Sequence, residues 1–122
     1  MGRTTLVLGA SDNPERYAYK AIVELLKHGH QVIAVGNRSG TVKHVEISTN
    51  WPEPNSVDTV TLYLGKKHQE GLLDQIKKLN PRRVIFNPGT ENEVLQSELE
   101  SSGIQSEVAC TLVLLATNQY ES

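Results

Sequence analysis

The sequence predicts an α/β fold with an open parallel sheet of about five strands and helices on both faces. Short apolar and β-branched runs alternate along the 122 residues with segments of helical periodicity. The first such run ends in a cluster of turn-forming residues that leads directly into a helix. Strand–helix–strand units of this kind connect parallel strands, as in Rossmann-like folds. The length fits one domain over residues 1–122.

The predicted strands are short apolar runs bounded by Gly, Asn or Pro. They are Thr4–Leu8, Gln31–Val35, 59–64, Arg83–Phe86 and a weaker run Gln105–Val108, with a further short candidate at 44–47 inside the irregular segment 36–56.

Helical periodicity predicts four helices between these strands. The first runs from Glu15 to Lys27, and the others follow at 68–79, 90–103 and 110–117. Gly29 is expected to provide the left-handed residue just after the first helix. Thr90 and Glu93 have the spacing of a capping box, so Thr90 is the expected N-cap of the third helix.

Composition argues against nucleic-acid and membrane partners. The formal net charge of −2 provides no positive field for a phosphate backbone. The longest mostly apolar stretch, 108–116, is far shorter than the ~20 residues that span a bilayer. Cys110 is the single cysteine, which excludes an intrachain disulfide and fits a reducing compartment. We therefore expect a cytoplasmic protein, and the sequence indicates no particular protein partner.

The loop after the first strand has the features of an anion site. Residues 9–16 read GASDNPER and lead into a helix, whose first backbone N–H groups and positive dipole end attract anions. Ser11 and Asn13 would add side-chain donors, and Arg16 would add charge. The alternative is an ordinary strand–helix turn capped by Ser11, Asp12 or Asn13.

The loop departs from the dinucleotide fingerprint G-x-G-x-x-G, because Ser11 and Pro14 stand at the second and third glycine positions. At the end of the second strand, Arg38 stands where NAD enzymes place an acid for the ribose. A guanidinium suits a phosphate on the ribose instead, as in NADP or coenzyme A. The alternative is a solvated loop arginine.

At these residues the chain resembles the small stand-alone CoA-binding proteins, whose fold is shared with the CoA-binding N-terminal domain of the succinyl-CoA synthetase α subunit. The resemblance rests on segments 9–20, 26–35, 37–38 and 87–92 and covers nearly the whole length. The chain departs from it at Gly36, since many members have Asn-Pro after the strand's last valine.

The resemblance implies that the chain binds coenzyme A or an acyl-CoA at the carboxyl ends of the parallel strands. The contacts that it implies are Gly9, Ala10, Ser11, Asn13, Arg16, Tyr19, Asn37, Arg38, Tyr63, Pro88 and Gly89.

The sequence indicates binding without catalysis or metal. It contains no recognisable set of nucleophile, base and oxyanion donors. None of the four histidines has a partner at ligand spacing. Cys110 is expected to be a small buried hydrophobic residue, and Glu91 and Glu93 to favour a helix dipole.

Two other functions stay open. One is a small NADP-binding reductase-like protein, for which the Tyr-x-x-x-Lys spacing of Tyr63 and Lys67 would be the signal. Gly65 and a strand end lie between them, so we treat this match as chance. The other is an interaction domain with a vestigial nucleotide cleft.

Overall fold

A computed structural model describes residues 3–121 as seven strands and four helices in a single α/β unit. The strands are β1 Thr4–Leu8, β2 Gln31–Val35, β3 Gly40–Val42, β4 Val45–Ser48, β5 Thr59–Leu62, β6 Arg83–Phe86 and β7 Gln105–Val108. The helices are α1 Tyr17–Lys27, α2 Leu72–Leu79, α3 Glu93–Ser101 and α4 Thr111–Ala116, with a 3₁₀ turn at Lys66–His68.

The strands form one sheet in the order β3-β4-β2-β1-β5-β6-β7. Every neighbouring pair is parallel except β3 and β4, which form an antiparallel hairpin. From β1 the chain builds the sheet outward through β2 and β4, then crosses to the other side of β1 to form β5. This reversal creates a crevice beyond the carboxyl ends of β1 and β5, where ligands bind in open α/β sheets.

The core lies on both faces of the sheet because successive strand residues point in opposite directions. Leu6 faces the cluster that contains Ile76 of α2 and Leu99 of α3. Val7 faces the second cluster, which contains Ile22 of α1 and Leu115 of α4. This arrangement confirms the Rossmann-like α/β prediction with helices on both faces.

The strand count was predicted too low, since the sheet has seven strands rather than about five. The extra strands arise where the irregular segment 36–56 folds into the β3–β4 hairpin. Lys43 makes the turn with a left-handed φ of 57°. Gly40 pairs with Ile47 and Val42 with Val45, which extends the sheet beyond β2.

Two predicted helix starts were wrong. The first helix begins at Tyr17 rather than Glu15, because the preceding residues form turns of their own. The second does not run from 68 to 79, since Gly71 takes a left-handed φ of 80° and separates the 3₁₀ turn from α2.

The predicted cap of α3 was also wrong. Asn92 is the N-cap, and its Oδ1 accepts a hydrogen bond from Leu95 N at 3.1 Å. The Thr90 hydroxyl instead donates to Asn87 O at 2.7 Å and closes the preceding turn. Gly29 does take the expected left-handed conformation after α1, with φ 82°.

The segment after α4 is tied to the amino ends of the strands, opposite the crevice. Arg83, at the start of β6, is 3% exposed and donates to Tyr120 O at 2.6 Å. Its guanidinium also lies 4.6 Å from the centre of the Tyr120 ring and pairs with Glu107 at 3.1 Å. The Tyr120 hydroxyl shares a hydrogen bond with Thr5 of β1. The C-terminal segment therefore closes the α1/α4 face of the core.

His30 should make folding stability sensitive to mild acid. Its ring is 8% exposed, meets the Tyr120 ring edge-on, and has an Nδ1 atom without a hydrogen-bond partner, 3.7 Å from the Glu121 carboxylate. Burial lowers the pKa of His30, helped by His28 and Arg83 and opposed by Glu121. Below the unfolded value of 6.5 the unfolded chain therefore binds more protons than the folded one.

We accordingly expect the free energy of unfolding to fall as pH drops from about 7 towards 5. Urea titrations across this range measure it. The dependence of the free energy of unfolding on pH should be weaker in His30→Gln, because glutamine cannot take up a proton in this range. It should persist in the control His44→Gln, since His44 is exposed. An unchanged slope in His30→Gln would assign the pH dependence to other groups.

Candidate functional site

A cleft of about 1090 Å³ lies at the carboxyl ends of the central strands. It is bounded by the loops after β1, β2, β4, β5 and β6 and by the start of α2. This is the crevice that the sheet topology provides, and its size suits a nucleotide cofactor rather than a small metabolite.

The loop after β1 begins with two backbone amides anchored to the next strand. Gly9 N and Ala10 N both donate to Val35 O at 2.9 Å. Farther on, Ser11 Oγ accepts from Asn13 N at 3.1 Å, and Asn13 Oδ1 accepts from Glu15 N at 3.0 Å. These side chains stabilise the loop's own turns and do not cap α1.

The start of α1 borders the cleft without a side-chain cap. Arg16 is the N-cap residue, and its side chain makes no capping hydrogen bond. Arg16, Tyr17 and Ala18 all line the cleft. The first amides of a helix have no partner within the helix, so this end offers donors towards the cleft.

Glycine at position 36 allows the loops after β1 and β2 to pack backbone against backbone. A Cβ atom on Gly36 would lie 2.5 Å from Ala10 O and 3.1 Å from Ile47 Cγ2. Gly36 N also donates to Ser48 O of β4 at 3.0 Å. Any side chain at position 36 would therefore force these two loops apart.

Arg16 and Arg38 are the arginines of the cleft, and both are exposed. Within residues 3–121 the ion pairs involve Lys27, His30, Arg82 and Arg83, so neither cleft arginine is neutralised by a carboxylate. The carboxylates of Asp12, Glu15 and Glu70 also line the cleft. An anion would accordingly be held by particular donors rather than by a general positive field.

A buried amide fixes the edge of the cleft at β5 and β6. Asn87 is 1% exposed, and its Nδ2 donates to Thr61 Oγ1 at 2.7 Å and to Leu62 O at 2.9 Å. Its Oδ1 accepts from Thr111 N at 2.8 Å, at the start of α4. The side chain thus links β5, β6 and α4 directly below the cleft.

Tyr63 lines the cleft, but its hydroxyl is buried and has no hydrogen-bond partner. Burial raises the pKa of Tyr63 to about 12, although the nearby hydroxyls of Thr61 and Thr111 oppose the shift. Those two hydroxyls bond to each other at 2.8 Å instead. Tyr63 is therefore neutral at pH 7.

The wall of the cleft beyond β4 is partly apolar. Trp51 is half-buried and packs against the core cluster of the α2/α3 face, and it also lines the cleft with Leu64 and Leu72. From the sequence alone, Trp51 between Asn50 and Pro52 is expected to cover the core rather than to form a stacking surface, and its packing against the core cluster agrees with that expectation. Its place in the cleft lining was not expected. Trp51 is far in sequence from the loop after β1, so no local sequence pattern indicated that the two border the same cleft.

The structure brings most of the predicted contact residues to this one cleft. Those that line it are Gly9, Ala10, Ser11, Arg16, Asn37, Arg38, Tyr63, Pro88 and Gly89. Asn13 and Tyr19 do not line it, because Asn13 is engaged in the loop's own turn and Tyr19 packs against the α1/α4 core cluster. The lining also includes Asp12 and Thr90, which lie in the loops after the first and fourth predicted strands. Cleft residues that the sequence did not indicate include Thr49, Trp51, Leu72 and Gln75.

Of the residues considered for other chemistry, Tyr63 and His68 line the cleft, whereas Cys110 and Lys67 lie outside its lining. Cys110 is half-buried with a free thiol, and Lys67 is exposed in the 3₁₀ turn, without a helical turn to align it with Tyr63. No group of three or more His, Cys, Asp or Glu residues within 3–121 is placed to hold a metal ion. In the same part of the chain, every helix is too short or too polar to cross a membrane.

Comparison with known proteins gives one family match. The family model described as CoA binding domain matches residues 3–116. No significant relative was found among curated protein sequences.

Solved structures agree with the fold. The crystal structure of an uncharacterised protein is 44% identical, with a TM-score of 0.93 and coverage of 98% of both chains. A protein from Thermus thermophilus is 21% identical, with a TM-score of 0.84 over 97% of this chain and 90% of its own. A dinucleotide-forming acetyl-coenzyme A synthetase from Ca. Korarchaeum cryptofilum is 18% identical, with a TM-score of 0.71 over 85% of this chain and 25% of its own.

Proposed function

This chain belongs to the CoA binding domain family, and we propose that it binds coenzyme A or an acyl-CoA in the cleft at the carboxyl ends of β1, β2, β5 and β6. One observation carries the proposal most directly. The closely packed loops after β1 and β2 meet the uncapped start of α1 at one cleft. The two arginines of that cleft form no ion pair with any residue in the range 3–121.

The residues of the cleft fit the chemistry of this cofactor. Its pyrophosphate needs backbone donors and a close backbone approach. The amides of Gly9, Ala10 and Asn13 are already engaged, so the donors offered are those of Ser11, Asp12 and the start of α1. Its ribose phosphate needs a cation, and Arg38 follows β2 where that group is expected. Its adenine needs an apolar or aromatic surface, for which the Trp51 wall is suited.

We propose further that the chain binds its cofactor without transforming it. The phenol of the cleft residue Tyr63 is protonated at pH 7, as that of an ordinary tyrosine is, and burial raises its pKa further, to about 12. Cys110 does not line the cleft. The cleft hydroxyls of Ser11 and Thr90 bond to the backbone rather than to the cleft residues His68 or Glu70. Neither hydroxyl is therefore activated by a neighbouring base for attack on a thioester.

Purified protein is accordingly expected to leave acetyl-CoA intact. A thiol reagent measures the free thiol released over time, at protein concentrations far above those used in hydrolase assays. Steady release above the buffer rate that is lost in Arg38→Ala would overturn the binding-only proposal.

A ligand screen tests the binding proposal against its NADP alternative. Coenzyme A or acetyl-CoA at ~100 times its dissociation constant should stabilise the fold by ~2.7 kcal/mol, seen as a raised melting temperature. NADP and NAD should give little or no shift. Fluorescence of Trp51, the single tryptophan, provides an independent titration. A shift with NADP alone would favour the reductase-like alternative, and no shift with any of these ligands would favour a vestigial cleft.

A further inference from the structure

One buried amide side chain, that of Gln69, joins the loops that follow β5 and β6. Gln69 is 4% exposed, and its Nε2 donates to both Leu64 O and Thr90 O at 2.8 Å. Its Oε1 accepts from Asn92 Nδ2 at 2.9 Å. The two carbonyls can only accept, and Asn92 Oδ1 is taken by Leu95 N, so the partners fix the orientation of both amides.

The two loops that Gln69 joins are walls of the cleft. Leu64 and Gly65 line it on one side, and the turn 88–90 lines it on the other. The loop after β5 also lies against the loop after β1, since a Cβ atom on Gly9 would lie 3.0 Å from the Tyr63 carbonyl carbon and 3.1 Å from Leu64 Cδ2. A shift of Leu64 would therefore reach the loop after β1 as well.

The loops need this link because their carbonyls have left the sheet. β5 ends at Leu62 and β6 at Phe86, so Leu64 and Thr90 have no strand partner for their C=O groups. Thr90 is buried and Leu64 is half-buried, and a backbone carbonyl removed from water requires a donor from elsewhere. The 3₁₀ turn Lys66–His68 presents Gln69 to both, and Gln69 N is itself held by Lys66 O at 3.1 Å.

We propose that Gln69 is a positioning residue that sets the spacing of the loops after β5 and β6 for the cofactor. This inference rests on the proposed binding of coenzyme A. Gln69 is absent from the cleft lining, so it acts through the backbone of its partners. When the binding-competent arrangement is only a fraction of the population, the apparent dissociation constant rises by the inverse of that fraction.

Two variants that remove different numbers of these hydrogen bonds test the proposal. Gln69→Leu keeps a similar volume and removes all three hydrogen bonds. Asn92→Ser retains a side-chain oxygen to cap α3 but is too short to reach Gln69, so it removes one. We expect the affinity for coenzyme A to fall about tenfold in Gln69→Leu, which corresponds to a binding-competent arrangement in about 10% of the molecules. It should fall by a smaller factor in Asn92→Ser.

The control is Ile104→Val. Ile104 lies just before β7 in the α2/α3 core and outside the cleft lining, and its replacement by valine leaves a small cavity there. It lowers global stability without touching the link, and it should bind coenzyme A like the wild type. Amide hydrogen exchange should accelerate locally at 64–66 and 88–91 in Gln69→Leu and not in Ile104→Val.

The outcomes separate this proposal from the one on which it rests. Failure of the wild-type protein to bind coenzyme A would refute the proposed function. Wild-type affinity in Gln69→Leu and Asn92→Ser would overturn the positioning role alone, as would losses of affinity no greater than those of Ile104→Val at equal global stability. If Gln69→Leu does not fold, the comparison of Asn92→Ser with Ile104→Val decides.

Discussion

Replacing Gly36 with alanine is expected to weaken coenzyme A binding strongly. The added Cβ would lie 2.5 Å from Ala10 O, a backbone atom that cannot rotate away. The loops after β1 and β2 must then separate. Overpacking of this kind costs roughly 1–3 kcal/mol, which corresponds to about 5- to 150-fold in affinity if the cofactor requires the packed arrangement. Titration calorimetry with coenzyme A measures the loss.

Gly65→Ala is the matched control, because Gly65 also lines the cleft. Its backbone is extended, with φ −64°, and no heavy atom lies within 4 Å of an added Cβ. Its affinity should stay close to that of the wild type. Equal affinities of Gly36→Ala and the wild-type protein would show that the cofactor does not depend on the contact of these two loops.

Gly9→Val is also expected to abolish binding, though it is less diagnostic than Gly36→Ala. Gly9 has a left-handed φ of 92°, and its added Cβ would meet the Tyr63 backbone at 3.0 Å. The substitution therefore strains the fold in addition to blocking a close approach of phosphate.

The second large effect is expected at Arg38, and it depends on the ligand. If the guanidinium holds the 3′-phosphate of coenzyme A, the charge-assisted contact is worth ~1.5–3 kcal/mol, or roughly one to two decades in affinity. Dephospho-CoA, which lacks that phosphate, should bind correspondingly more weakly to the wild type. Arg38→Ala should weaken coenzyme A by the same order and leave dephospho-CoA almost unchanged.

The comparison of the two ligands separates a lost contact from a damaged fold, since a destabilised protein would bind both more weakly. Arg16→Ala is the companion variant, because Arg16 lines the same cleft at the start of α1. If Arg38→Ala keeps the full preference for coenzyme A over dephospho-CoA, Arg38 is a solvated loop residue. Arg16, which lines the cleft, is then the first candidate for the phosphate contact, ahead of Lys66 and Lys67 in the 3₁₀ turn, which lie outside the lining.

Much of the fold could be predicted from sequence because the central strands are buried on both faces. β1, β2, β6 and β7 have the predicted bounds, and β5, predicted at 59–64, ends at Leu62. β1 and β6 are nearly wholly buried, as short apolar runs between turn formers predict, whereas β7 is a more exposed edge strand. Of the β3–β4 hairpin, only β4 was anticipated, by the candidate strand at 44–47, and the pairing of the hairpin could not be predicted. Its strands are three and four residues long, and its turn at Lys43 lacks the Asn-Gly or Asp-Gly signal.

The loops of the candidate site could be predicted because parallel strands end at one edge of the sheet. Gly9, Arg38 and Gly89 each follow a predicted strand, and all line the cleft. The positions of Trp51 and Gln69 depend instead on tertiary contacts. Gln69 bonds to Thr90 across 21 residues, and no local pattern encodes that contact.

Titration calorimetry of the wild-type protein with coenzyme A, in competition with NADP, tests the proposed function most directly. We expect one molecule of coenzyme A to bind per chain, with the affinity unchanged by excess NADP and reduced for dephospho-CoA. Absence of heat with coenzyme A, or its displacement by NADP at comparable concentration, would contradict the assignment of the cleft to coenzyme A.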